Sequence, residues 1–207
     1  MRNIVLQMMT TLNGRLDDPL AWMGTVVDEQ YRAIDRLYAG YDTVLVGRTT
    51  YEEMVGYWPG ALNDKAGGET NRVMAGRMHD YRKIVFSRTE EQAISRWHNA
   101  ERAVVPDDAA LSRYLTDLKA GPGRDIHLSG GASLAQTVIG LGLVDRYHFF
   151  VYPVVSPGEP WFARLRDKNE LQLIGSEHYD NGVVGLHYAT VRDAKSARPK
   201  SFSELIA

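Results

Sequence analysis

Two short stretches of this chain place glycine and small hydrogen-bonding side chains where an apolar run gives way to a helical pattern. The first is Val46-Gly47-Arg48-Thr49-Thr50-Tyr51-Glu52 and the second is Ser129-Gly130-Gly131-Ala132-Ser133-Leu134. A strand that opens into a helix this way presents free backbone N–H groups at the positive end of the helix, which suits phosphate oxygens. At the first junction Gly47 lets a ligand approach the backbone, Arg48 offers a permanent forked cation, and Thr49 and Thr50 can cap the helix or bind an anion. Either glycine alone serves equally well as a turn former. In an open α/β sheet, however, two such junctions face one crevice at the carboxyl ends of the strands. Ser87-Arg88 sits just past another apolar run, where an arginine can accept an adenosine 2′-phosphate.

Other chemistries lack their residues. The chain has no cysteine, which removes disulfides, thiolate catalysis and thiolate metal sites. No G-x-G-x-x-G follows the first strand, and neither G-x-x-x-x-G-K-[ST], H-E-x-x-H nor a G-x-S-x-G elbow occurs. The six histidines show no zinc-ligand spacing, so no metal is expected; His178 and His187 can meet across a hairpin as a surface pair. Trp22, Tyr51, Tyr57 and Trp58 fall beside the crevice-forming segments, where they can stack on a flat heterocycle or serve as core or dimer-contact aromatics.

The elements that must position these residues alternate. The opening run Arg2 to Met9 reads as a buried strand that leaves its sheet at Thr10-Thr11-Leu12-Asn13-Gly14. Apolar spacing predicts a helix over Asp28 to Ala39, with Gly40 at its end. Asp42 to Gly47 is a buried strand entering a short helix at Thr49 to Val55. Trp58-Pro59-Gly60 and Gly67-Gly68 mark Gly56 to Asp80 as a long irregular loop. Strands follow at Lys83 to Ser87 and Ala103 to Pro106, then a helix from Asp108 to Ala120, a strand from Asp125 to Ser129 and a helix from Ala132 to Leu141. This alternation predicts a mainly parallel sheet with right-handed crossovers. Val144 to Val155 is a further strand, and Leu171 to Tyr179 and Val183 to Val191 flank Asp180-Asn181-Gly182 as an antiparallel hairpin.

With 207 residues, 44% of them hydrophobic, and a net charge of −2, one globular domain is the economical reading, spanning residues 1–193 with a polar tail over 194–207. The charge balance gives nucleic acid no footprint. The apolar stretch Ile4 to Met9 is too short for a signal peptide or a membrane span, so the cytoplasm is the expected compartment.

In this order and on these elements, the motifs resemble the dihydrofolate reductase-like superfamily, and more closely the reductase domain of the bifunctional riboflavin-biosynthesis deaminase-reductase. The similarity runs from Arg2 to Arg192. It is carried by the Thr11 to Gly14 turn, Leu45 to Glu52, Val85 to Arg88, Ser129 to Leu134, and Gly142-Leu143-Val144-Asp145-Arg146 leading to Val151 to Val155. The resemblance implies an α/β fold with an appended C-terminal hairpin and a homodimer joined through its late strands. It also implies NADPH as cofactor and a small pterin-like or aminopyrimidine-like substrate. Gly47, Arg48, Thr49 and Thr50, with Gly130, Gly131, Ala132, Ser133 and Leu134, would hold the pyrophosphate, and Ser87 and Arg88 would lie near the adenosine phosphate. Gly130-Gly131 would carry a cis peptide. Trp22, Tyr51 and Trp58 are the substrate-binding candidates. Where many relatives have aspartate after strand one, this chain has Asn13, an amide that cannot deliver a proton as an acid does. Proton delivery is then left to Asp28, Glu29 or an ordered water, and a binding protein that has lost turnover is the alternative.

Overall fold

A computed structural model describes residues 1–191 apart from 17, 25, 65, 67, 91, 92 and 159; the expected polar tail, 194–207, lies outside the described residues. In chain order the elements are β1 (Ile4–Thr11), α1 (Pro19–Trp22), α2 (Asp28–Ala39), β2 (Tyr41–Gly47), α3 (Arg48–Asn63), α4 (Gly68–Asp80), β3 (Arg82–Ser87), β4 (Ala100–Val104), α5 (Asp108–Ala120), β5 (Asp125–Gly130), α6 (Ala132–Gly140), β6 (Arg146–Tyr152), β7 (Leu171–His178) and β8 (Val184–Thr190). They build one eight-stranded sheet in the order β4-β3-β2-β5-β1-β6-β8-β7. From β4 to β6 every pairing is parallel, whereas β8 and β7 run antiparallel. Thr11, Gly47, Ser87, Gly130 and Tyr152, the last residues of five parallel strands, therefore share one edge.

Both faces of the parallel strands are covered, which is why they read as continuous apolar runs rather than alternating ones. On one face Val5, Val44, Val46, Val85 and Phe150 pack with Ala33, Ile34 and Leu37 of α2, Tyr51 and Met54 of α3, and Met74 and Met78 of α4. On the other, Ile4, Leu6, Leu45, Ile84, Ile126 and Leu128 meet Leu111 and Leu115 of α5 and Ala135, Val138 and Ile139 of α6. The hairpin closes as its turn residues dictate: Gly182 takes a positive φ of 80°, and the Gly182 N–H donates to the Tyr179 carbonyl at 2.9 Å.

The segment Gly56 to Asp80 departs from expectation. It is not an irregular loop; α3 continues to Asn63 with Pro59 inside it, and α4 follows. Glycine and proline are helix breakers by local propensity. Here burial of Tyr51, Met54 and Ala61 on α3 and of Met74, Ala75 and Met78 on α4 overrides that preference. The expected histidine pair is also corrected. His178 stands opposite Val184, while His187 is fully buried and meets His148 of β6 instead, Nδ1 to Nδ1 at 2.6 Å. Cross-strand partners share a face, and His187 lies three positions along β8 from Val184, the partner of His178, so the two histidines point to opposite faces.

Candidate functional site

The two glycine junctions come together. A Cβ built on Gly131 would stand 2.8 Å from Thr50 Oγ1, and one on Gly47 would stand 3.8 Å from the Gly131 nitrogen. Gly131 thus admits no side chain without displacing Thr50. Gly130, with φ of 106°, adopts a conformation that L side chains rarely take, and the Gly130-Gly131 peptide is cis, as the resemblance implies.

Both helices that begin at these junctions start bare. Gly47 and Gly131 occupy the N-cap positions of α3 and α6 and provide no side-chain cap, and neither first turn holds an acid. Of the other helices, the single-turn α1 is likewise uncapped and acid-free and α2 has no side-chain cap, but the longer ones carry an acid in the first turn or a cap. Asp107 caps α5 by accepting from the Ala110 N–H at 2.7 Å, and Asp28 and Glu29 stand in the first turn of α2. Two uncapped, acid-free helix starts aimed into one space form an anion cradle of the kind backbone N–H groups and helix dipoles create.

That space is a cavity of about 430 Å³ lined by Gly47, Arg48, Thr49, Thr50, Ser87, Arg88, Gly131, Ala132, Ser133 and Leu134, with Phe86, Val105 and Leu111 as its apolar wall. All but one of the residues expected to bind phosphate or cofactor meet there; Gly130 stands directly behind Gly131. Arg88 reaches across to Asp108 at the start of α5, 2.5 Å away. The Ser87 hydroxyl donates to the Thr89 carbonyl at 2.7 Å. Phe86, Val105 and Leu111, and Thr137 which completes the lining, carry no signal of this role in the sequence, since they are indistinguishable there from core and helix-face residues.

The end of the first motif has a structural task. Tyr51 is wholly buried and its hydroxyl donates to the Ser95 carbonyl at 2.6 Å, so it is a core residue rather than a stacking platform for a heterocycle. Glu52 accepts from the Ser95 hydroxyl and N–H, and these bonds hold its carboxyl below the usual range. Tyr57 is exposed and bonds Asn71 at 3.0 Å. Trp58 packs against the core, 5.0 Å from Tyr57. Among the aromatic candidates Trp22 alone stands at the carboxyl end of β6, edge-on to Tyr152 at 5.4 Å.

Asn13 is committed elsewhere. Its amide donates to the Ser156 carbonyl at 2.7 Å, while its oxygen accepts from the Ser156 N–H at 3.1 Å and from the Thr11 hydroxyl at 2.8 Å. It therefore latches the turn after β1 to the segment after β6. Asp28 and Glu29 are exposed at the start of α2. The buried polar residue of that turn is Gln30, which donates to the Tyr152 hydroxyl at 2.9 Å and accepts from Asn181 at 3.2 Å. The signal for it in the sequence is a polar residue on the apolar stripe Gln30, Ala33, Ile34, Leu37 and Tyr38, masked by the two acids beside it.

The family model of the RibD C-terminal domain matches residues 2–185. The chain belongs to that family. Protein YyaP of Bacillus subtilis strain 168 is 28% identical over 188 residues, 90% of this chain and 94% of that protein. Protein YwjB of the same organism is 26% identical over 192 residues, 90% of this chain and 97% of that protein. Among solved structures, a putative riboflavin biosynthesis protein from Shewanella sp. PV-4 superposes with a TM-score of 0.63 at 19% identity, covering 92% of this chain and 99% of that one. A pyrimidine reductase-like protein from Corynebacterium diphtheriae gives 0.61 at 18% identity, with 93% of each chain covered. These neighbours establish the mixed, mainly parallel fold of a RibD reductase-like domain. Among the described residues, no helix is long and apolar enough to cross a membrane.

Proposed function

We propose that this RibD C-terminal domain is an NADPH-dependent reductase of a small heterocycle of the aminopyrimidine or pterin class, working as a cytoplasmic homodimer. The observation that carries the reading is the pair of uncapped, acid-free helix starts at Gly47 and Gly131, meeting in one cavity with Arg48 and Arg88 on its rim. A dinucleotide pyrophosphate satisfies the free N–H groups of both helices, and the glycines keep Cβ atoms out of its way. Arg48 adds charge beside α3, and Arg88 binds the adenosine 2′-phosphate. NADPH, when bound, supplies the hydride. The chain binds and orients the cofactor, and Trp22 and the Gln30–Tyr152 pair frame the substrate end.

Calorimetry tests the cofactor: NADPH binds with micromolar affinity and Arg48→Ala weakens it by about tenfold, in line with a charged hydrogen bond. Unchanged binding in that variant refutes the phosphate placement. Loss of reduced-nicotinamide absorbance on adding a ribosylated aminopyrimidine or dihydrofolate tests turnover. A second reading, an NADPH-binding homodimer without turnover, is favoured by Asn13, whose amide is bound to Ser156 rather than free to assist protonation. It predicts the same binding and no absorbance change.

A further inference from the structure

A second cavity, of about 300 Å³, opens at the opposite edge of the sheet, where β1, β2, β5 and β6 begin beneath the last turn of α2. Strands of seven residues at about 3.3 Å each separate it from the cradle by roughly 20 Å. Val5, Leu37 and Ile174 give it apolar surface, and its polar wall is made of Arg36, Arg146, Tyr41 and His148 together with the Asp125 carboxylate, so two cations face one anion.

Three of these polar groups lack adequate partners. Tyr41 is 3% exposed, and its hydroxyl is buried without a hydrogen bond, a state that buried hydroxyls rarely keep in the absence of a water or ligand. Arg36, in the last turn of α2, forms no ion pair among the described residues, and Arg146 has only a loose one, 4.0 Å from Asp125. That aspartate is already shared with Asn3. The fourth group is set by a relay. His187 Nε2 lies 3.2 Å from Glu177, so with Glu177 as a carboxylate that nitrogen carries the proton. His187 Nδ1 is then an acceptor, and the 2.6 Å contact with His148 Nδ1 requires the proton to sit on His148 Nδ1. His148 Nε2 is left as a bare acceptor in a ring that forms part of the cavity wall.

We infer that this cavity is a second ligand site, for a small carboxylate that also carries an O–H or N–H donor. Its carboxylate meets Arg36, Arg146 and the Tyr41 hydroxyl, and its donor meets His148 Nε2. The volume corresponds to about ten water-sized groups, enough for a single-ring or short-chain acid and too little for a dinucleotide.

Calorimetry of the full chain with 3-hydroxybenzoate, 3-aminobenzoate, benzoate and 3-hydroxybenzyl alcohol tests this. Either donor-bearing benzoate should bind. Benzoate, which lacks the donor, and the alcohol, which lacks the anion, should each bind at least about fivefold more weakly. Arg36→Gln, an exposed change that leaves the core untouched, Arg146→Gln and Tyr41→Phe should each weaken the donor-bearing acids by about threefold or more. NADPH at saturation should leave their affinity unchanged, because its proposed site lies at the other edge. Absence of binding by all four compounds, a cavity holding water only, overturns the inference. So does binding that the three variants leave intact or that NADPH displaces. Each of these results leaves the NADPH titration free to succeed or fail by itself.

Discussion

Asp108→Asn asks whether Arg88 is the residue that reads the adenosine phosphate. The two side chains share a 2.5 Å bond and are 48% and 60% exposed. A pair this open to solvent contributes from nothing to about 1 kcal/mol to folding, so the variant should keep its stability within that margin. Its effect on a bound anion is larger. Any phosphate held by Arg88 lies on the order of 4–5 Å from the Asp108 carboxylate, and like unit charges at that separation in water-like surroundings repel by about 1 kcal/mol. Asp108→Asn removes that repulsion and frees the guanidinium fork, so NADPH should bind about five- to tenfold more tightly. NADH, without the 2′-phosphate, should change by less than about twofold. Calorimetry of both cofactors on both proteins reads the difference, and repeating it at high salt should shrink the gain because exposed charges are screened. Equal tightening of both dinucleotides, or no gain for NADPH, removes Arg88 from the phosphate site.

Burial pushes the His127 imidazole down to about 4, against an opposing contribution from the Gln7 backbone. The native state keeps this ring neutral while the unfolded chain takes up a proton near pH 6.5. Stability is therefore full above about 6.5 and falls towards pH 4, by roughly 3 kcal/mol in all. Urea unfolding between pH 7 and 5 shows this slope, and His127→Phe, which preserves stacking on Tyr41, should reduce it; an undiminished slope assigns the acid sensitivity to other groups. Asn13→Asp removes the amide donor to the Ser156 carbonyl and sets a carboxylate against it, which should cost about 1–3 kcal/mol without raising any NADPH oxidation rate. A faster reaction in that variant would place this side chain in the chemistry. Tyr51→Phe deletes only the bond to Ser95, costing about 1 kcal/mol in thermal unfolding. A loss of NADPH affinity beyond about twofold would return Tyr51 to the binding surface.

The fold is legible in the sequence where one physical signal acts alone. The boundaries of α2 and α5 follow from apolar spacing and the glycine after each, and the hairpin follows from Asn181-Gly182, whose conformation few other residues adopt. The stretch from Gly56 to Asp80 is not legible because Pro59 and its neighbouring glycines disfavour a helix locally. Burial of three residues on each of α3 and α4 outweighs that local preference, and such burial exists only once β2 and β3 lie beneath them. The His187 contact is invisible for a related reason: its partner, His148, is 39 residues away, and nothing in the hairpin points to it.

The cofactor side of the candidate site is legible for the opposite reason. Glycine at a strand end and an absent acid in the next helical turn are local features, and local features survive in sequence. An uncapped helix start forgoes a stabilising contact worth about 1 kcal/mol; α5 has one from Asp107, while α2 lacks a side-chain cap but sets Asp28 and Glu29 in its first turn. Bare, acid-free starts at both Gly47 and Gly131, facing one cavity, are what the proposed phosphate site rests on. The substrate side offers no such signature. Gln30 and Tyr152 are 122 residues apart and bond each other, so their proximity is a property of α2 packing in one core with the end of β6 rather than of any short motif. For that reason the proposed cofactor can be argued from the chain's local grammar, whereas the substrate must be found by trial on the assembled crevice.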